Sequence, residues 1–196
     1  MRYRLEWRKG EPVISGESVD YVGGQLKRAW EEAFASYGLI GRGWHQVLLI
    51  GMGASLMQIL AQTGQPPPSQ VLILEKDPEI VRLQEAHFVL PLPYQVYLGD
   101  AAQTIYELTE SCDGIFVDAF IEWEVPPNLL HKDFLQALHH QLNPKGLLLW
   151  NVLLTKQAKR LETLLRETWP IVRIRRIGNH YFFLAGNTDA DWGWPF

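Results

Sequence analysis

Cysteine is nearly missing from this chain of 196 residues, Cys112 being its one thiol. A lone thiol excludes an intrachain disulfide and any multi-cysteine metal site, so a reducing compartment fits and the cytoplasm is the expected location. Long apolar runs are missing as well. No stretch approaches the ~18 uninterrupted apolar residues of a membrane span, and the opening Met-Arg-Tyr-Arg-Leu-Glu-Trp has no signal-peptide core. Excess positive charge is also absent, with 18 Lys and Arg against 22 Asp and Glu and a net charge of −4. A nucleic-acid surface needs clustered cations, so neither nucleic acid nor membrane is an expected partner. Internal repeats, low-complexity tracts and linkers do not occur. What is present, 47% hydrophobic and 20% charged residues, describes one globular domain with a substantial core.

The chain is organised around residues 46–55, Gln-Val-Leu-Leu-Ile-Gly-Met-Gly-Ala-Ser. The unbroken apolar run 47–50 reads as a strand buried on both faces of a parallel sheet. Gly51 and Gly53 follow at once, and 54–61 carries a helical pattern. Strand, glycine turn and helix make a nucleotide-binding βα unit, in which the helix start offers free N–H groups. A second apolar strand, 71–74, ends on Glu75, about 20 residues on, where a carboxylate can accept hydrogen bonds from ribose hydroxyls. The dinucleotide fingerprint requires a third glycine where Leu56 stands, and the P-loop requires a Gly-Lys-Ser/Thr that is absent. A glycine turn of this kind suits a nucleoside without a pyrophosphate, such as S-adenosylmethionine. An ordinary tight βα turn is the alternative.

Elsewhere the periodicity predicts alternating strands and helices. Residues 2–7 and 13–14 read as an amino-terminal hairpin, 18–24 as an irregular link, and 25–37 as an amphipathic helix. Helices are expected over 77–88, 101–108, 130–142 and 155–168, and strands over 95–98, 115–117 and 147–150. A closing antiparallel hairpin is expected from 172–177 and 181–185 around Gly178-Asn179-His180. This alternation predicts an α/β, doubly wound, mostly parallel seven-stranded sheet with a short amino-terminal β hairpin. Residues 1–45 are expected to pack on a core spanning 46–196.

In such a sheet a ligand lies over the carboxyl ends of the strands. The strand-end residues are Gly51, Gly53, Glu75, Asp100, Asp118 and Asn151, and Asp100 also stands where a helix cap would. Glu122 and Glu124 sit in the loop after Asp118, either as solvated residues or as ligands for an amine. His131 reads as a helix-terminus residue. His139 and His140 are too close in sequence to face one metal together, and no metal site is expected. Arg173, Arg175 and Arg176 read as a solvated strand face. Trp192, Trp194 and Phe196 form an aromatic tail with two destinations, the sheet edge or a partner chain in a homodimer.

Four segments, Val-Leu-Leu-Ile-Gly-Met-Gly-Ala-Ser, Val-Leu-Ile-Leu-Glu-Lys-Asp-Pro-Glu-Ile, Leu-Gly-Asp-Ala and Ile-Phe-Val-Asp-Ala-Phe, resemble in order and spacing the class I methyltransferase fold. Leu142-Asn143-Pro144-Lys145-Gly146 and Gly178-Asn179-His180-Tyr181 narrow the resemblance to spermidine synthase-like proteins over residues 46–186. The resemblance implies an S-adenosylmethionine-dependent transferase, with aminopropyl transfer from the decarboxylated cofactor or a non-catalytic relative as alternatives. It implies Gly51, Met52 and Gly53 at the amino-acid or aminopropyl end of the nucleoside, and Glu75 with Lys76 at the ribose. Asp100 and Ala101 would lie beside the adenine, and Asp118 would position or deprotonate a small-molecule acceptor, an amine in the polyamine synthases. The sequence departs from that pattern at Ile121, where the family has a second aspartate, and at Gly24-Gln25-Leu26, where it has Tyr-His-Glu. Both departures fall at the acceptor end, so the acceptor stays open.

Overall fold

The computed structural model describes residues 3–188. The chain begins with strands β1 (Arg4–Arg8), β2 (Glu11–Ser15) and β3 (Asp20–Val22), which form an antiparallel sheet in the order β1-β2-β3. The expected hairpin is therefore joined by a third strand. Three residues among glycines leave no alternation to read, and Asp20–Val22 gains its strand geometry from pairing with β2. Helix α1 (Gly24–Ser36) then buries Leu26, Ala29, Trp30, Ala33 and Phe34.

The core follows as β4 (Gln46–Ile50), α2 (Ala54–Thr63), β5 (Gln70–Glu75), α3 (Pro78–His87), β6 (Tyr94–Leu98), α4 (Ala101–Thr104), β7 (Cys112–Val117), α5 (Lys132–Gln141), β8 (Leu142–Val152), α6 (Thr155–Thr168), β9 (Ile171–Ile177) and β10 (His180–Gly186). The helix expected over 101–108 is split, with a 3₁₀ turn at Ile105–Glu107 after α4. Strand β8 is longer than expected because its pairing with β7 spans Asn143-Pro144-Lys145-Gly146 as a register irregularity rather than stopping there.

The seven strands run β6-β5-β4-β7-β8-β10-β9; β6 to β8 are parallel, and β10 is antiparallel to both β8 and β9. Side chains alternate across the sheet with the period of two that strands impose. Val47, Leu49, Val71, Ile73 and Phe116 meet α1, α2 and α3 on one face. Leu48, Ile50, Leu72, Leu74, Ile115 and Val117 meet α4, α5 and α6 on the other. This is the doubly wound arrangement, with both faces of the parallel strands dry.

On the edge strand β9, Arg175 lies over the Tyr37 ring at 5.6 Å and Arg176 over Tyr181 at 5.5 Å, so these guanidiniums stack instead of facing only water. His131 directly precedes α5, as expected. Among the described residues no helix is long and apolar enough to cross a membrane. Trp192, Trp194 and Phe196 lie outside the described residues.

Candidate functional site

The strand order reverses between β4 and β7, and a cleft opens there over the carboxyl ends of the strands. Gly51 forms its floor with φ +96°, close enough to the next strand that a Cβ would come within 2.6 Å of the Asp118 carbonyl oxygen. Only glycine takes that conformation without strain. The turn brings the Met52 N–H to Glu75 Oε2 at 2.8 Å, while the Lys76 and Asp77 amides reach Oε1 at 2.7 and 2.8 Å. Three backbone donors thus fix the carboxylate at the end of β5. Burial raises the Glu75 pKa, and these bonds act against the rise.

Asp100 does two things at once. Its Oδ1 caps α4 by accepting the Ala102 N–H at 3.0 Å, and both oxygens accept from Asn128 Nδ2 at 2.8 Å. Gly51, Met52, Glu75, Lys76, Asp100, Ala101 and Asp118 all line the cleft, together with the apolar Ile80 and Leu129. Gly53 does not line it; it precedes α2, and its carbonyl accepts the Met57 N–H. Nor is the start of α2 open, because buried Gln84 accepts the Ala54 N–H at 2.9 Å. The expectation of free helix amides fails at Ala54 for that reason.

Asp118, at the end of β7, is held from two sides: Trp30 Nε1 donates to Oδ2 at 2.9 Å and Asn151 Nδ2 to Oδ1 at 3.0 Å. Burial pushes its carboxyl up to about 6, against the pull of these two bonds. Because Asn151 spends its amide nitrogen on Asp118, its oxygen faces His180 Nδ1 at 3.0 Å, so Nδ1 carries the hydrogen. Burial lowers the His180 pKa to about 4. Trp30, Asn128 and His180 are partners that the sequence pattern did not single out. Trp30 and Asn128 come from elements that carry no motif, and His180, within the Gly178-Asn179-His180-Tyr181 segment, was read only as part of a turn.

These two shifts make opposite contributions to stability. The Asp118 contribution is full below its ordinary 3.8 and is lost as pH rises through about 6. The His180 contribution is full above its ordinary 6.5 and is lost as pH falls through about 4. Urea unfolding between pH 4 and 7 should therefore show Asp118→Asn gaining on the parent as pH rises, and His180→Asn losing ground. Parallel curves for all three proteins would show that neither group titrates in this way.

Beyond Asp118 the chain turns tightly. Ile121 and Glu124 exchange backbone bonds of 2.8 and 3.1 Å around Glu122, at φ 54°. Glu122 does not point at the cleft. Its Oε1 accepts the Glu17 N–H, its Oε2 accepts the Ser18 N–H and hydroxyl, and its own N–H donates to Tyr21 Oη at 2.8 Å. Trp123 Nε1 adds a 2.7 Å bond to Ser18 Oγ. Glu122 is thus the clasp between this loop and the amino-terminal sheet, and Glu124 is exposed. The sheet also reaches the cleft directly. Tyr3 donates to Asp77 Oδ2 at 2.6 Å and meets Tyr21 edge-on at 5.3 Å.

No family model matches the sequence, and no curated protein matches it. Solved structures do match. A probable spermidine synthase from Corynebacterium glutamicum superposes with a TM-score of 0.74 at 19% identity, over 95% of this chain and 77% of its own. Spermidine synthase from Thermotoga maritima gives 0.71 at 14% identity, over 98% and 75%. Human methyltransferase-like protein 13, in complex with SAH, gives 0.63 at 17% identity, over 85% and 81%. The fold is that of spermidine synthases and class I methyltransferases. The α/β architecture is of this methyltransferase type, as the sequence motifs over residues 46–186 implied.

The cleft's chemistry fits a nucleoside of the S-adenosylmethionine type. Among the described residues lining it, Lys76 is the one basic side chain, and the first amide of α2, which a phosphate would use, is taken by Gln84. Glu75 and Asp100, two of the four carboxylates that line it, suit ribose hydroxyls and a base instead. The cleft encloses about 80 Å³, less than the 300–1,000 Å³ of typical ligand pockets, and Tyr3 lines it while bonded to Asp77.

Proposed function

We propose that this protein is an S-adenosylmethionine-dependent transferase, methyltransferase-like, acting on a small-molecule acceptor. The observation that carries the reading is the convergence of Gly51, Glu75, Asp100 and Asp118 from four strand ends on one cleft at the switch point. S-adenosylmethionine, when bound, supplies an electrophilic carbon attached to a sulfonium sulfur. The chain supplies the rest. Gly51 and Met52 let the backbone approach the amino-acid end, and Glu75 offers its remaining lone pair to the ribose, with Lys76 at the rim. Asp100 and Ala101 face the base. Asp118 keeps one lone pair free on each oxygen, and a carboxyl at about 6 is placed to take a proton near neutral pH. Tyr3 swings off Asp77 as the nucleoside enters.

A second reading, aminopropyl transfer from decarboxylated S-adenosylmethionine within polyamine synthesis, is favoured by the superposition of spermidine synthase structures on 95–98% of this chain. The same proposal places the enzyme in the cytoplasm, acting on no nucleic acid, with residues 1–45 and 46–196 working as one unit and a homodimer as its assembly.

Calorimetric titration with S-adenosylmethionine, its decarboxylated form and methylthioadenosine tests the reading. Tightest binding of intact S-adenosylmethionine is expected, and tightest binding of the decarboxylated form would move the assignment to aminopropyl transfer. Glu75→Gln turns an NH₂ group toward backbone donors and should weaken binding about tenfold. Unchanged affinity would remove the ribose role from Glu75, and no binding of any of the three would overturn the function.

A further inference from the structure

A second cavity, of about 600 Å³, adjoins the cleft and shares Tyr21 and Phe120 with it. Its walls come from β1, β2, β3, α1, the Phe120–Trp123 loop and the β9–β10 turn, and His180 is among them. We propose that this cavity is the acceptor chamber, that its occupant is a neutral aromatic hydroxyl compound, and that His180 Nε2 accepts the hydroxyl's hydrogen bond. The proposal rests on the transferase reading above.

Three observations carry it. First, the imidazole has one defined face for a ligand. Nδ1–H is committed to Asn151 Oδ1, which leaves Nε2 as an acceptor with no hydrogen-bond partner among the described residues. Second, the imidazole is linked to the cleft through its other nitrogen. Asn151 links His180 to Asp118 through two 3.0 Å bonds, and Asp118 lines the cleft itself.

Third, the chamber selects neither charge. Arg4, Arg8 and Arg28 on its wall balance Glu17, Asp20 and Glu32. Asp20 is further tied to Arg8 at 2.9 Å. Glu122, an acid of the facing loop, is spent on Glu17 and Ser18, and Asp118 already accepts one bond on each oxygen. Tyr21, Phe120 and Trp123 instead offer aromatic faces to a flat ring. A volume of this size accommodates a small aromatic compound with room for substituents.

Catechol is the probe, and putrescine is its cationic rival. In the full-length protein with labelled histidine, catechol should shift the His180 ring resonances saturably and change Trp123 fluorescence, and putrescine should do neither. His180→Asn retains a donor for Asn151 while removing Nε2, and His180→Ala removes both. If Nε2 meets the hydroxyl, both variants lose catechol affinity by about tenfold. If His180 only props Asn151, the Asn variant binds as the parent does, and the proposal is overturned. Saturable putrescine binding at His180, or no catechol binding to the folded parent, also overturns it. S-adenosylhomocysteine titrated separately keeps the two readings apart: its failure to bind, with catechol still engaging His180, removes the transferase reading and leaves the chamber.

Discussion

Gly51→Ala should remove nucleoside binding and destabilise the fold, whereas Gly53→Ala should do little. At position 51 an added methyl faces the Asp118 carbonyl at 2.6 Å from a backbone held at φ +96°. The contact is with backbone, so no rotamer relieves it. Strain of this kind costs roughly 1–3 kcal/mol by itself, and forcing β4 and β7 apart at the switch point brings the expected loss to about 3 kcal/mol or more. The same displacement pulls the Met52 N–H from Glu75, which is why binding is lost together with stability. At Gly53 the nearest atoms are side-chain carbons of Leu56 and Leu49 at 3.2–3.3 Å, and φ is −94°. An alanine there needs only a small shift of two leucines. Chemical denaturation together with calorimetry of S-adenosylmethionine checks both variants, and equal behaviour of the two would show that the turn is not held as described.

Phe116→Ala should cost about 3–5 kcal/mol, as for other fully buried aromatic residues. Phe116 lies next to the end of β7 with no exposed surface. Its ring stacks on Phe34 at 5.3 Å and meets Trp30 and Trp44 edge-on at 6.3 and 5.6 Å. No smaller side chain can fill a space enclosed by three aromatic rings, so a cavity remains. The effect extends beyond stability, because Trp30 is the residue that holds Asp118 Oδ2. Loosening Trp30 should also raise the sensitivity of Asp118 to pH. Urea denaturation reads the stability change, and a loss below ~1 kcal/mol would mean that the cluster closes over the gap.

The legible parts of this chain are those whose signal is local. Val47 to Ile50 and Val71 to Leu74 announce buried parallel strands because both faces are dry, and each strand end carries its glycine or acid in sequence with the strand. The doubly wound sheet follows from their alternation with amphipathic helices. Asp20–Val22 was not legible, since three residues have no period and their strand state is imposed by β2. Glu122 could be read only as solvated or as an amine ligand, because its real partners, Glu17 and Ser18, are about a hundred residues away. The same applies to His180, which reads as a turn residue until β10 pairs with β8 and sets it beside Asn151. Gly51 and Gly53 look equivalent in sequence, and only the approach of Asp118 separates them.

The Glu122 clasp divides what natural selection can change independently. The cleft is built from strand ends deep in the sheet, where a substitution disturbs the core. The proposed chamber is walled in good part by the amino-terminal sheet and one loop, fastened together by Glu122 with the aid of Trp123 and Tyr21. Under the proposed function, drift in those walls exchanges one acceptor for another while the proposed nucleoside cleft stays intact. A lineage carrying this architecture can therefore diversify its chemistry cheaply, by remodelling its first two dozen residues and the facing loop.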